Sequence, residues 1–158
     1  MENRAEIAVK KFLEGYNCAQ SVFSSFCDDL KLDRNRVLKM SCGFGGGMGR
    51  KGEVCGAVTG GIMVIGAKYG RGENDGRTVT DLTYARTREL MDRFSEKHGT
   101  FICRQLLDGC ELATEEGQRQ FKEKDLLNKT CKGCVRDVVD ILEEMIKASD
   151  SATEPSQG

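Results

Sequence analysis

The chain has 158 residues with 24 basic and 25 acidic side chains, so it is sized for one domain with its own core and carries no electrostatic footprint for nucleic acid or an anionic membrane. A single histidine excludes multi-histidine metal sites and bis-histidine haem ligation within the chain. Eight cysteines are the unusual feature. Charges at Glu2, Arg4, Glu6, Lys10 and Lys11 interrupt any signal-peptide core, so a cytoplasmic location is expected, where thiols serve as packing, metal ligands or redox dithiols rather than structural disulfides.

Helical signals run from end to end, which predicts an all-α fold. Ala5, Ala8, Val9 and Phe12 form the stripe of a first helix ended by Gly15. Asn17 caps a second that starts at Cys18 and carries Val22, Phe26 and Leu30 on one face. Asp33 caps a short third over Arg34 to Met40. A glycine loop (Gly43, Gly45, Gly46, Gly47, Gly49, Gly52) then opens onto Val54 to Ala67, which has no charged residue. That run is too short to span a bilayer and reads as a buried central helix.

Arg71 to Arg77 is a turn-rich connector. Thr78 and Asp81 resemble a capping box for a long helix with Tyr84, Thr87, Met91 and Phe94 in register, closed by Gly99. Thr100 caps the next, with Ile102, Leu106 and Leu107. Residues 111–129 are too polar for their helical content to be assigned. Thr130 caps a last helix with Val135, Val138, Val139, Leu142, Met145 and Ile146 on one face. The expected organisation is one domain over residues 1–148 and a frayed, flexible tail over 149–158.

Interior glycines of the central helix cost about 1 kcal/mol each against alanine. Gly56 and Gly60 must therefore be offset by close helix packing or by a requirement of a site. Cys18, Cys55, Cys103 and Cys131 each stand at or near an expected helix start, where free amides and the positive dipole end favour thiolate. Four such starts can compensate a group of thiolates or an anionic iron–sulfur cluster. Cys27 and Cys110 read as packing. Cys42 borders the glycine loop within reach of the same site, and Cys134 forms Cys-x-x-Cys with Cys131, as ligand, resolving thiol or core.

Several familiar motifs fail. No strand precedes Cys131, as a thioredoxin site requires, and zinc sites commonly use a second Cys-x-x-Cys. Val135 stands where a haem-attachment histidine belongs, and the spacings fit neither common ferredoxin pattern. Gly47 to Gly52 matches G-x-G-x-x-G without a preceding strand, and Lys51 is placed wrongly for a Walker A loop. The loop's remaining roles are to bring backbone amides to sulfur or an anion, to hinge over Cys55, or simply to connect.

The segments GYNCAQSVF at 15–23, SCGFGGGMGRKGEVCGAVTGG at 41–61, FICRQLL at 101–107 and TCKGCVRDVVDILEE at 130–144 resemble the C_GCAxxG_C_C family of redox-active proteins. The family label writes GCAxxG, whereas this chain reads Cys55-Gly56-Ala57-Val58-Thr59-Gly60. The resemblance implies that the family's cysteines fall on Cys18, Cys55, Cys103 and Cys131, with Cys134 additional. A similar domain occurs in split-Soret cytochromes, which implies a [2Fe–2S] cluster. Expectations follow: an electron-transfer protein with an iron–sulfur cluster on those four cysteines as metal ligands, tuned by Gly45, Gly46, Gly47 and Gly56 around the cofactor. The alternatives are a metal-free thiol–disulfide oxidoreductase and a zinc or soft-metal thiolate site. Its expected partner is another redox protein, with a homodimer as a further option.

Overall fold

Polar caps decide where the chain turns helical. Asn3 and Asn17 accept from the amides of Glu6 and Gln20 at 2.8 and 3.0 Å, and those side chains return the bond to the cap backbone. They start α1 (Arg4–Leu13) and α2 (Cys18–Ser24), an arrangement that satisfies otherwise orphaned amides. Asp33 likewise accepts from the Arg36 amide at 2.8 Å at the start of a later helix, without the return bond. The computed structural model describes residues 2–153. Its other helices are α3 (Cys27–Leu30), α4 (Arg34–Ser41), α5 (Gly56–Tyr69), α6 (Arg77–His98), α7 (Cys103–Leu106), α8 (Glu115–Glu123) and α9 (Lys132–Thr153). A 3₁₀ turn occupies Cys42–Phe44 and a π-helical turn Leu127–Cys131. No strand occurs among the described residues, and Val54 pairs with Ile102 in an isolated bridge. The chain is all-α.

Helix α5 is the axis. It is apolar all round and packs against α2, α6 and α9, while α1 lies along α9. Phe26, Val58, Leu90, Phe94, Val135, Val138 and Leu142 are almost wholly removed from solvent around it, each large side chain contributing roughly 1.5–3 kcal/mol of burial. The α2–α5 contact depends on missing side chains. A Cβ on Gly60 would stand 2.7 Å from the Ala19 carbonyl oxygen, and one on Gly56 would stand 3.2 Å from Cys18 Cβ. Close packing thus accounts for both glycines, and it brings Cys18 against the start of α5. At the periphery Arg4 bonds Glu143 at 2.9 Å, pairs with Asp29 and covers the Phe26 ring at 4.4 Å, joining α1, α3 and α9. A smaller apolar cluster of Cys103, Leu107, Cys110 and Leu126, joined by Leu112 and Phe121, lies beside the main core.

Several local boundaries differ from expectation. Helix α2 stops at Ser24, so Cys27 opens α3 instead of standing mid-helix, although it is buried. Gly76 caps α6 without a side-chain bond, and Thr78 and Asp81 form no capping box. The reason is the preceding turn: the Asp75 carboxylate accepts from the Gly72 amide at 2.7 Å, which ends the connector one step before Gly76. Tyr84 is 59 % exposed instead of facing the core. Thr130 lies inside the π-helical turn and caps nothing. Helix α9 continues through residues 149–153. The remainder of the expected tail, residues 154–158, lies outside the described residues.

Candidate functional site

The glycine loop turns left-handed before it reaches Cys55. Gly46, Gly47, Met48, Gly49 and Arg50 have φ of 64, 68, 70, 59 and 66°. For the two non-glycine residues this costs roughly 1–2 kcal/mol each. Bonds from the Met48, Gly49 and Arg50 amides to the Phe44, Gly43 and Gly45 carbonyls hold the coil. Its exit pairs antiparallel with the chain entering α7. The Cys55 amide donates to the Phe101 carbonyl at 2.8 Å, Cys103 to Glu53 at 2.6 Å and Arg104 to Gly52 at 3.1 Å. That short zipper sets Cys55 beside Cys103. The loop then closes on it so tightly that a Cβ on Gly47 would lie 2.7 Å from Cys103 Cβ.

Other elements deliver the remaining sulfurs. Cys18 opens α2, whose cap Asn17 also donates from its amide to the Cys42 carbonyl at 2.8 Å, tying α2 to the loop. Cys131 ends the π-helical turn and Cys134 lies in the first turn of α9. Cys18, Cys55, Cys103, Cys131 and Cys134 all line one cavity of about 630 Å³, with Cys42 also on its lining. Gly45, Gly46, Gly47 and Gly56 line it too. Cys27 and Cys110 do not. The Cys110 thiol donates instead to the Gly117 carbonyl at 2.9 Å.

Within this group the thiols pair. Cys134 donates to Cys55, and Cys18 to Cys131. The bond from Cys134 holds the Cys55 thiol below its ordinary pKa, against burial, with help from the Ala57 and Val58 amides at the start of α5. Donation to Cys131, burial and neighbouring sulfurs push Cys18 up. Burial, then Cys55, Cys131 and Cys110, push Cys103 up to about 12, against the Arg104 charge. Cys134 is raised by donation to Cys55 and by burial. The start of a helix thus favours thiolate at Cys55, where the amides bond the sulfur. It does not do so at Cys18 or Cys103, and Cys131 is at no helix start.

The rest of the cavity is a wall that sequence reasoning did not assign. Leu106 and Leu107 come from α7 and its end, Phe121 from α8, and Leu112 and Leu127 from flanking turns. Gln118, Phe121 and Lys122 share one face of α8 by their i, i+3, i+4 spacing. Thr114 caps that helix by accepting from the Gly117 amide at 2.9 Å. The cap and this spacing were the available signals, masked by seven charged or amide side chains in a nine-residue helix. Cys134 was visible as part of Cys-x-x-Cys, but its pairing with Cys55 has no local signature.

A helical protein centred on a buried group of thiols beside a glycine coil belongs among cysteine-based redox proteins. The family model described as "Putative redox-active protein (C_GCAxxG_C_C)" matches residues 16–145, and the chain belongs to that family. An uncharacterized protein of Archaeoglobus fulgidus is 28 % identical over 117 residues, covering 70 % of this chain and 78 % of that relative. No solved structure matches the chain. Among the described residues no helix is long and apolar enough to cross a membrane.

Proposed function

We propose that this redox-active protein binds an iron–sulfur cluster of the [2Fe–2S] type through Cys18, Cys55, Cys103 and Cys131 and serves in electron transfer. The observation that carries the reading is that cysteines from α2, the glycine loop, α7 and the α9 entrance line one cavity whose lining includes no carboxylate and no histidine. An all-sulfur donor set suits iron–sulfur clusters and soft metals. Among the described residues no group of three or more His, Cys, Asp or Glu side chains is arranged around a single metal ion. When bound, the cluster would supply a one-electron couple.

The chain's own residues do the rest. The Gly46 and Gly47 amides line the cavity and make no hydrogen bond among the described residues, so they are donors free to face sulfur and tune it. Gly56 lets α2 approach, and Gly47 lets the loop approach Cys103. Arg50 and Lys122 provide positive charge at the cavity lining.

The thiol pairs favour a second reading, a metal-free thiol–disulfide oxidoreductase. There the Cys55 thiolate attacks a substrate disulfide and releases one thiolate. Cys134, giving up its proton, then displaces the second, leaving a Cys55–Cys134 disulfide and a reduced dithiol product. Anaerobic purification with a visible spectrum, iron, sulfide and zinc analysis and thiol counting decides between them. The cluster reading expects a coloured protein with about two irons and two sulfides per chain. A protein still colourless and metal-free after anaerobic reconstitution, losing Cys55 and Cys134 thiols together on mild oxidation, overturns it in favour of the second. Stoichiometric zinc without iron overturns both.

A further inference from the structure

The thiols are only part of the cavity lining. The cavity volume of about 630 Å³ falls within the ~300–1,000 Å³ typical of sites that hold small organic molecules. Leu106, Leu107, Leu112, Phe121 and Leu127 also line it, an apolar surface that a hydrocarbon group would bury at a gain. Two bonds fix α8 to the chain before it: Cys110 Sγ to the Gly117 carbonyl at 2.9 Å and Gln118 Nε2 to the Leu112 carbonyl at 3.1 Å.

Its charge is one-sided. Arg50 and Lys122 line the cavity, no Asp or Glu does, and neither cation forms an ion pair among the described residues. In a chain with net charge −1, two cations without carboxylate counterparts beside an apolar wall complement a molecule with an apolar body and a negative end. We propose that the cavity is a binding site for a small organic carboxylate, its hydrocarbon part against Phe121 and the leucines and its acid group toward Arg50 and Lys122, next to the thiols. This assignment goes beyond the cluster reading and does not depend on what the sulfurs hold.

Octanoate, octanol and octylammonium serve as matched probes of one chain length and three charges. Each is titrated into reduced, anaerobically purified protein, followed by calorimetry and by backbone amide shifts. Octanoate is expected to bind about tenfold more tightly than octylammonium, with shifts at Gly46, Gly47, Phe121 and Lys122. Arg50→Gln and Lys122→Gln, both at exposed positions, should each weaken octanoate about three- to fivefold and leave octanol unchanged. No octanoate binding, equal affinity for octanoate and octylammonium, shifts confined to residues outside the cavity, or variants that weaken octanol as much as octanoate would overturn the assignment. The titration requires neither iron nor sulfide, so its failure is separable from failure of the cluster reading.

Discussion

Cys55 and Cys103 are neighbours on the short zipper between the glycine loop and α7, yet their sulfurs face different chemistry. Cys55 receives a bond from Cys134 and bonds from the Ala57 and Val58 amides, which favour its thiolate. Cys103 is raised by burial and by other sulfurs, with the Arg104 charge opposing. A lowered pKa means a larger thiolate fraction at any pH below the ordinary thiol value of about 8.5, and the thiolate is the nucleophile. Iodoacetamide labelling of reduced, metal-free protein near neutral pH should therefore reach Cys55 before Cys103, read by peptide mass mapping. Cys134→Ala removes the strongest of the bonds to Cys55, so its labelling should move to higher pH. Equal rates at the two cysteines, or no change in the variant, would mean that the Cys134 bond does not control Cys55.

At the scale of elements, α5 contains glycines of opposite consequence. A Cβ at Gly60 would meet the Ala19 carbonyl oxygen at 2.7 Å and Ala19 Cα at 3.0 Å, whereas one at Gly66 would meet nothing within 4 Å. Gly60→Ala must push α2 from α5 and is expected to cost about 1–3 kcal/mol. Gly66→Ala gains helix propensity and is expected to stabilise by about 0.5–1 kcal/mol. Urea unfolding of the two reduced variants checks both signs, and destabilisation by both would deny the α2–α5 approach its controlling role.

The same scale separates what was legible in the chain from what was not. Asn17 and Asp33 announce α2 and α4 because a cap and its bonded amide lie within three residues of each other. Thr130 carries the same signal before an apolar stripe, but the chain is already coiled. Asp125, at φ 50°, starts a turn in which Asn128 bonds its carboxylate at 2.9 Å, and helical backbone then runs through Cys131 into α9. A π-helical turn leaves no mark in a periodicity of 3.6. Cys18, Cys55, Cys103 and Cys131 could be singled out from position and family resemblance. The α8 lining could not be read locally, because what holds it at the cavity is the packing of Phe121 against the cluster of Cys103, Leu107, Cys110 and Leu126 and the bonds from Cys110 and Gln118.

For the whole molecule, the consequence is that cysteines separated by up to the span from residue 18 to residue 134 line one cavity, so any group bound by several of them links distant parts of the chain. A ligand held only by the folded form adds stability by mass action. Anaerobic reconstitution with iron and sulfide should raise the melting temperature, and Cys18→Ser or Cys131→Ser should abolish the increment. Cys27→Ala, buried in α3 outside the cavity, should lower both forms alike. The pH dependence adds an independent check. In the metal-free protein Cys18, Cys27, Cys103 and Cys134 have raised folded-state pKa values, and Cys55 a lowered one. A raised thiol stays protonated while the unfolded chain ionises, so its contribution is intact below the unfolded value of about 8.5 and is lost as pH climbs toward the folded value. Four raised thiols against one lowered make the metal-free melting temperature fall above about pH 8.5. Cys18 and Cys103, once committed to iron, carry no proton to lose, so the reconstituted protein should show a shallower fall over the same window. A flat metal-free profile would contradict the buried, protonated thiols; equal slopes with and without iron would contradict ligation by Cys18 and Cys103.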